Sequence, residues 1–252
     1  MFLPGGKEQI AGEYQPGWML LSYGKKVSVS SSLEGYPAGN IVDEDARTAW
    51  VAQSNRDMEW AQVDLQRLSS IHAIQVNFDE YGANQKGAVS GVYQSYLIYA
   101  SVNGEDWSLV VDYGTKKTDT PHDYIEFEEP FKARYIKLQN KEYMVSENFS
   151  VRDLRIFGKG QGSTPRAVND FTVERDEADP CKARLCWEAV PDAQGYIVRY
   201  GIAGDKLYNN FQVMGENTLE IGSLNKGVAY YFTIDAYNEN GITRTSRIKV
   251  CR

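Results

Sequence analysis

The chain has 252 residues, of which 42% are hydrophobic, and its 34 acidic and 27 basic residues give a net charge of −7. This length is sufficient for two domains of ordinary size or for one large β domain. The acidic balance argues against a nucleic-acid partner, which favours a basic face, and no apolar run approaches the roughly 20 residues that cross a membrane.

The distribution of β-branched and alternating apolar residues predicts an all-β protein. In chain order the predicted strands are KVSVSSS, WAQVDLQ, IHAIQVNF, SYLIYASV, SLVVDY, YIEFEEP, ARYIKLQN and VRDLRIFG. Turn residues separate them, and Asn103-Gly104 predicts a hairpin. Residues 159–166 are rich in Gly, Ser and Pro and predict a linker, after which a second series of strands begins.

The stretch GNIVDEDARTAW, residues 39–50, concentrates oxygen-bearing side chains. Calcium binds six to eight oxygens from carboxylates, hydroxyls and backbone carbonyls. Asp43, Asp45 and Thr48 are spaced so that one compact turn brings their oxygens around an ion. The competing interpretation of the same spacing is a solvated acidic turn.

The lengths of the predicted connections separate two ends of the first sandwich. If consecutive strands are antiparallel, connections alternate between the ends. Short connections at 66–71, 103–107 and 130–132 then share one end, and long ones at 33–59, 79–92, 114–122 and 144–150 share the other. Long loops on a rigid scaffold commonly carry binding sites, so we expect a binding surface at the long-loop end.

The long loops carry aromatic rings together with planar amide and guanidinium groups. Such groups suit a sugar, because its C–H face stacks on a ring while paired hydroxyls meet paired donors and acceptors. The alternative is that most of these side chains simply cover the end of the sandwich. The candidate glycan-binding residues are Arg56, Tyr81, Asn84, Tyr36, Asn55, His122, Tyr143 and Asn148.

Catalytic signatures are missing from the sequence, so we expect no enzymatic activity from this chain. Its two histidines stand apart, and no HExxH, GxSxG or P-loop motif occurs. The three cysteines, Cys181, Cys186 and Cys251, leave open one disulfide or three thiols.

Residues 22–158 resemble a discoidin domain, also called the coagulation-factor type C domain, and more narrowly the family 32 carbohydrate-binding modules. The motifs KVSVSSSLEGYPAGNIVDEDARTAW, YLIYASVNGEDW and VRDLRIFG carry the resemblance. It implies an eight-stranded jelly-roll sandwich with Trp50 and Trp60 in the core, and one structural Ca²⁺. The implied ligands are the Asn40 and Arg152 carbonyls and the side chains of Asp43, Asp45, Thr48 and Asp153. Glu44 replaces the family's usual glycine, which predicts a negative φ and a plain surface charge there.

Residues 167–252 resemble a fibronectin type III domain through Leu224, Gly227, Tyr230, Ala236 and Asn238. That resemblance implies a seven-stranded sandwich in which Trp187 fills the core and Tyr230 forms a tyrosine corner. We expect no ligand site in this domain.

The two domains together, preceded by residues 1–21, resemble the C-terminal accessory region of bacterial family 43 glycoside hydrolases of the xylosidase and arabinofuranosidase type. This implies a connecting segment at 1–21, an upstream catalytic domain of the same polypeptide as partner, and a secreted, periplasmic or cell-surface location. The expected function is non-catalytic glycan binding without membrane insertion. The alternative is a structural spacer or protein-interaction module that fixes the catalytic domain and binds no glycan.

Overall fold

The computed structural model describes residues 17–83 and 91–252, which divide into two compact units, residues 17–161 and 162–252. Each unit is built from antiparallel β-sheets, so the all-β prediction is confirmed. One 3₁₀ helix, Ala38–Val42, is the helical element of the described chain. No helix in those residues is long and apolar enough to cross a membrane.

The first unit contains eight strands in one continuous hydrogen-bonded network. They are β1 (Met19–Leu20), β2 (Lys26–Val29), β3 (Trp50–Val51), β4 (Trp60–Phe78), β5 (Gln94–Ser101), β6 (Ser108–Tyr113), β7 (His122–Tyr143) and β8 (Ser150–Lys159). The pairing order is β1-β8-β4-β7-β5-β6, with β2 added beside β4 and β3 beside β8. Because β1 pairs with β8 and Leu21 is in the core, the sandwich includes residues that the sequence assigned to a connecting segment.

Strands β4 and β7 each run through both layers of the first unit, where the sequence predicted separate strands joined by turns at 66–71 and 130–132. The first half of β4 pairs with β2 and the last part of β7, and its second half pairs with β8 and the first part of β7. A register shift between Asp64 and Ser69 joins the halves, and Gln66 there has φ +67°. A bulge with one left-handed residue bends a strand without ending its pairing, which is why these turn signals did not break the strands.

Alternation along the bent strands builds the core of the first unit. Ala61, Val63 and Leu65 of β4 point inward and pack with Trp50, which is 0% exposed as predicted. Trp60 has the opposite parity in the strand, is half-buried and lies on the outer face. The prediction that Trp60 packs in the core was therefore wrong, because side chains alternate faces along a strand.

The second unit has two sheets. Its strands are β9 (Phe171–Arg175), β10 (Ala183–Trp187), β11 (Gly195–Gly201), β12 (Asn209–Met214), β13 (Thr218–Ile221), β14 (Tyr230–Asn238), β15 (Gly241–Thr243) and β16 (Lys249–Cys251). Strands β13-β10-β9 form one sheet, and β12-β11-β14 form the other with β15 and β16 both paired to β14. The described strands number eight where seven were predicted, since the final edge is divided into two short strands.

Large aromatic side chains fill the core of the second unit. Trp187 is buried against Tyr196, with ring centroids 5.1 Å apart. Tyr230 is also buried, and its hydroxyl accepts a hydrogen bond from the Asn225 N–H at 3.3 Å. These placements confirm that both residues are structural. The three cysteines are free thiols, with Cys251 buried.

The second half of the predicted linker is hydrogen-bonded to the second unit. The Gly162 N–H donates to Asn240 Oδ1, and the Ser163 carbonyl accepts from the Asn238 and Asn240 side chains. The Thr243 hydroxyl donates to the carbonyl of Pro165, which is buried. Residues 162–165 are thus fixed parts of the second unit rather than free linker.

Candidate functional site

The long connections of the first unit meet at one end of the sandwich. Backbone bonds join residues 52–54 to Phe149, through Ala52 N to Phe149 O at 2.8 Å and Phe149 N to Ser54 O at 2.9 Å. The Met144 N–H donates to the Tyr93 carbonyl, and the Phe78 N–H donates to the Pro121 carbonyl. The Asp79 N–H also donates to the Ser150 carbonyl at 3.1 Å. These bonds bring the ends of the four long connections together, and we call this surface the loop end.

An aromatic cluster forms the floor of the loop end. The ring centroid of Phe149 lies 5.4 Å from Tyr143, 5.8 Å from Trp50 and 6.1 Å from Phe78. Tyr143 is 2% exposed, and its hydroxyl donates to the Asp79 carbonyl, while burial raises its pKa. Tyr143 therefore supports the loops from below and does not reach a surface ligand, contrary to its prediction as a glycan-binding residue.

Three asparagine amides tie the loops to one another. Asn55 Nδ2 donates to the Ser146 carbonyl at 2.8 Å, and Asn148 Nδ2 donates to the Ala52 carbonyl at 2.9 Å. The amide of the fully buried Asn140 donates to the carbonyls of Asn55 and Arg56. Asn55 and Asn148, predicted to bind sugar, thus use their amide donors to fix the loops. Asn140 was missed because nothing in the sequence marks it among ordinary strand residues.

A carboxylate surrounded by serines fixes the start of the longest loop. Glu59 accepts hydrogen bonds from the hydroxyls of Ser30, Ser31 and Ser54. Burial raises the pKa of Glu59, but the serine hydrogen bonds outweigh it and hold the pKa below its usual value. The run of three serines at 30–32 could have indicated this hydrogen-bonded group, but it was interpreted only as part of a strand.

A second buried polar group holds the loop at 114–121. Asp123 accepts hydrogen bonds from the Tyr96 hydroxyl, at 2.7 Å, and from the Lys116 ammonium. Asp123 and Tyr96 are buried and Lys116 is largely so. Burial raises the pKa of Tyr96, and its bond to Asp123 adds to the rise. The sequence analysis overlooked this group.

The side chains that remain available at the loop end are few. Arg56 is exposed, and its guanidinium has no hydrogen bond or ion pair within residues 17–83 and 91–252. Tyr36 and Tyr81 are half-buried and meet edge to face, with centroids 4.9 Å apart at 70°. His122 is exposed, and its Nδ1 lies 3.1 Å from Asn77 Oδ1. Asn84 lies outside the described residues.

The predicted calcium ligands occupy a compact turn and the neighbouring strand β8. Both Asp43 carboxylate oxygens accept hydrogen bonds, from Asp45 N at 2.9 Å and Thr48 Oγ1 at 2.8 Å. Asp153 is 3% exposed and its Oδ1 has no hydrogen-bond partner, although Arg155 Nη2 lies 3.6 Å away. Among the described residues no three His, Cys, Asp or Glu side chains gather as a metal site. The predicted set has carbonyls and a hydroxyl besides its carboxylates, and a buried carboxylate oxygen without a donor suits a cation.

Glu44 differs from its prediction in both conformation and environment. It has φ +62°, so the chain adopts the left-handed turn here without a glycine. Its carboxylate pairs with Arg155 Nε at 2.8 Å, and both side chains are about seven-eighths buried. The ion pair with β8 holds Glu44 in this conformation, so Glu44 is not a plain surface charge.

The first unit is an all-β sandwich of two layers, with available polar and aromatic side chains on loops at one end. Residues 26–153, about half of the chain, match the F5/8 type C domain model, and the chain belongs to that family.

Lactadherin is a curated relative. The Rattus norvegicus protein is 33% identical over 110 residues, which cover 41% of this chain and 25% of lactadherin. The Mus musculus protein is 32% identical over 110 residues, covering 41% and 23%. The chain thus spans about a quarter of the length of these relatives.

Solved structures with a similar first unit include sugar-binding modules. Chitosan-binding module 1 of a Paenibacillus sp. IK-5 chitosanase/glucanase is 20% identical with a TM-score of 0.47, covering 56% of this chain and 99% of that one. The family 32 CBM from C. perfringens NanJ in complex with galactose is 17% identical with a TM-score of 0.45, covering 56% and 98%. Similarity at this level says nothing about what the present chain binds.

Proposed function

We propose that the first unit is a non-catalytic carbohydrate-binding module with its site at the loop end. The observation that carries this proposal is the exposed guanidinium of Arg56, which pairs with no described residue. It shares the connection 33–59 with Tyr36, whose ring meets that of Tyr81 from the next long connection. The Gln53 N–H donates to the Ser31 hydroxyl at 2.9 Å, which fixes the segment before Arg56 against the start of the same connection. A guanidinium with free donors grips paired hydroxyls, and an aromatic face stacks on the sugar ring.

Rigidity of the loops supports the proposal. Asn55, Asn140 and Asn148 use their amides, and Glu59 its carboxylate, to hold the loop backbones before any ligand arrives. A prearranged site spends less conformational entropy on binding. A shallow site still buries little of a sugar, so the affinity should be weak.

The second unit is proposed to be a fibronectin type III-like sandwich without a ligand site. Its support is the buried Trp187, the Tyr230 hydroxyl bonded to backbone five residues earlier, and sheets of three and five strands. The whole chain is then an accessory part of a secreted, periplasmic or cell-surface glycoside hydrolase of the xylosidase or arabinofuranosidase type. Its upstream catalytic domain is the proposed protein partner.

Replacing Arg56 by alanine is expected to weaken glycan binding by about 1–3 kcal/mol, the scale of a lost charged hydrogen-bonding contact. Folding should be unchanged, because the Arg56 side chain supports nothing in the described structure. Isothermal titration with arabinoxylan, galactan and mucin-type fragments measures the effect. Arg67→Ala, an exposed arginine at the β4 bend, is the matched control and should bind normally. If every fragment at millimolar sugar gives only the heat of dilution into buffer, the glycan-binding proposal is wrong. The first unit would then be a structural spacer or protein-interaction module.

We also propose one Ca²⁺, held by the carbonyls of Asn40 and Arg152 and the side chains of Asp43, Asp45, Thr48 and Asp153. Its support is the buried Asp153 Oδ1, which accepts no hydrogen bond, and the contact between the Asp43 carboxylate and the Thr48 hydroxyl in the turn beside β8. A bound ion would join the turn at 43–48 to β8. The Glu44–Arg155 ion pair already makes that connection without metal, so the unit should stay folded when calcium is removed.

Removing calcium with chelator is expected to destabilise the first unit by about 2.7 kcal/mol, relative to calcium at 100 times its dissociation constant. For a unit of this size that is roughly 5–10 °C in Tm. Calorimetry with and without EDTA measures it. Asp43→Ala should abolish the difference, whereas the exposed Asp205→Ala in the second unit should leave it intact. Identical melting curves of the unmodified chain in calcium and in EDTA would end the metal proposal.

A further inference from the structure

The outer face of the layer containing β2, the first half of β4, the last part of β7 and β5 has an unusual composition. Register places Ser28, Gln62, Lys137 and Tyr99 side by side across these four strands. Trp60 and Tyr135, two residues along their strands, point to the same face. Their neighbours Val63, Ile136 and Ile98 are completely buried in the core, so the opposite parity faces outward.

Lys137 lies at the centre of this face between two rings. Its ammonium is 4.1 Å from the ring centroid of Trp107 and 5.3 Å from that of Tyr99. Burial lowers its pKa, and no carboxylate pairs with it in the described part of the chain. Trp107 reaches this position from the β5–β6 hairpin. Gly104 of that hairpin lies against the Tyr135 ring, and a Cβ atom at position 104 would be 3.4 Å from the nearest ring carbon. We call Trp60, Gln62, Tyr99, Trp107, Tyr135 and Lys137 the sheet platform.

Charge distinguishes the sheet platform from an ordinary polar face. Asp64, two residues along β4 from Gln62, is neutralised by a bidentate bond to Arg134, with both distances 2.8 Å. Asp57, near the other end, pairs with Lys141 at 2.6 Å. The ammonium of Lys137 is thus left with aromatic faces alone. A partly desolvated cation without a counter-ion attracts an anion more strongly than a fully hydrated one.

The dimensions suit an extended chain molecule. Four strands at the usual spacing of about 4.8 Å give a row roughly 14 Å long from Ser28 to Tyr99. Tyr99 in that row, with Trp60 and Trp107 beside it, offers stacking faces, and Gln62 and Ser28 offer hydrogen bonds. The Tyr135 ring is instead occupied by Arg134, whose guanidinium lies 4.8 Å from the ring centroid. Sugar rings present an apolar C–H face and hydroxyls at their edges, which is the complement of this surface.

We propose that the sheet platform is a second binding site, separate from the loop end, for an anionic polysaccharide whose sugar carboxylates pair with Lys137. The chain crosses β2, β4, β7 and β5, and its apolar sugar faces rest on Trp60, Trp107 and Tyr99. This inference does not depend on the loop end binding any glycan.

The test compares the full-length chain in binding to polygalacturonate and to the same polymer fully methyl-esterified, by affinity electrophoresis and titration. Polygalacturonate should bind at least about tenfold more tightly, and the difference should shrink as salt rises. Lys137→Met should remove that preference, while Lys132→Met, an exposed lysine at the far bend of β7, should retain it. Trp107→Ala should weaken binding of both polymers, and the preference for the charged polymer should persist in Arg56→Ala.

Three results would overturn the proposal. One is equal binding of the charged and esterified polymers by the unmodified chain. The second is a preference for the charged polymer that Arg56→Ala removes and Lys137→Met retains. The third is concentration-dependent dimerisation, measured by sedimentation, that Trp107→Ala abolishes, since the platform would then be covered by a second copy of the chain. If Trp107→Ala melts early, Lys137→Met alone decides, because exchanging a half-buried ammonium for a thioether keeps the contacts of the side-chain stem.

Discussion

Asp123→Ala is expected to lower the free energy of unfolding of the first unit by about 3–5 kcal/mol, the usual cost of breaking a buried ion pair. Asp123 accepts from both the Tyr96 hydroxyl and the Lys116 ammonium. Its removal leaves a buried hydroxyl without an acceptor and a cation without its counter-ion, each of which costs free energy. The loop at 114–121 then loses its charged attachment to β7 and keeps its hydrogen bonds to Gln94 and Ser95 of β5.

Denaturant unfolding combined with hydrogen exchange measures this effect and locates it. Amides of β5 and of the start of β7 should exchange faster, while those of the second unit stay unchanged. The matched control is Asp57→Ala, which breaks the more exposed pair with Lys141 and should cost less than about 1 kcal/mol. A loss for Asp123→Ala no larger than that of Asp57→Ala would show that the buried group does not hold the loop.

Phe149→Ala is expected to lower the free energy of unfolding of the first unit by about 3–5 kcal/mol, the usual cost of removing a fully buried phenylalanine ring. The ring is 0% exposed and lies among Trp50, Phe78 and Tyr143. The cavity would open beneath the backbone bonds that join Phe149 to Ala52 and Ser54. Glycan binding at the loop end should therefore weaken as well, even though Phe149 touches no ligand.

Thermal and denaturant unfolding measure the stability loss, and titration measures the binding loss. Phe149→Leu should recover most of the stability, because it keeps much of the buried volume. Phe211→Ala in the second unit is the control, since that ring is 40% exposed and should cost below about 1 kcal/mol. Normal glycan affinity in a folded Phe149→Ala chain would show that the loop end does not depend on the aromatic floor.

The periodicity of the sequence was sufficient to predict strands but not their bends. Each half of β4 has alternating residues and was recognised. The connection at 66–71 looked like a turn because its residues are polar, whereas the structure uses Gln66 as one left-handed residue inside a continuous strand. Whether a polar stretch ends a strand or bends it depends on pairing with distant strands, here β7 and β8, and a single sequence does not contain that information.

The face of the sheet that a residue occupies was predictable from the alternation of side chains along its strand. Trp50 and Trp60 have the same chemistry, yet one is in the core and the other on the sheet platform. Trp60 alternates with Ala61 and Val63, so the strand pattern itself placed it outside. The family resemblance had overridden that pattern and gave the wrong face.

The residues of the loop end were predictable, but which of them fix the loops and which stay available to a ligand was not. An exposed amide and an amide that bonds a neighbouring loop have the same sequence signature. Asn55 and Asn148 fix loops, whereas the guanidinium of Arg56 meets no partner among the described residues. The difference arises from which carbonyls come within reach once four loops converge, and that is a property of the folded chain.

The passage of β4 and β7 through both layers has a mechanical consequence. Where a sandwich is made of two separate sheets, one sheet can slide or peel from the other while its own strands stay paired. Here the two layers share two strands, so shear between them pulls directly on the hydrogen bonds at the bends. Load applied to either layer is carried by the other, and the first unit should give way in one step.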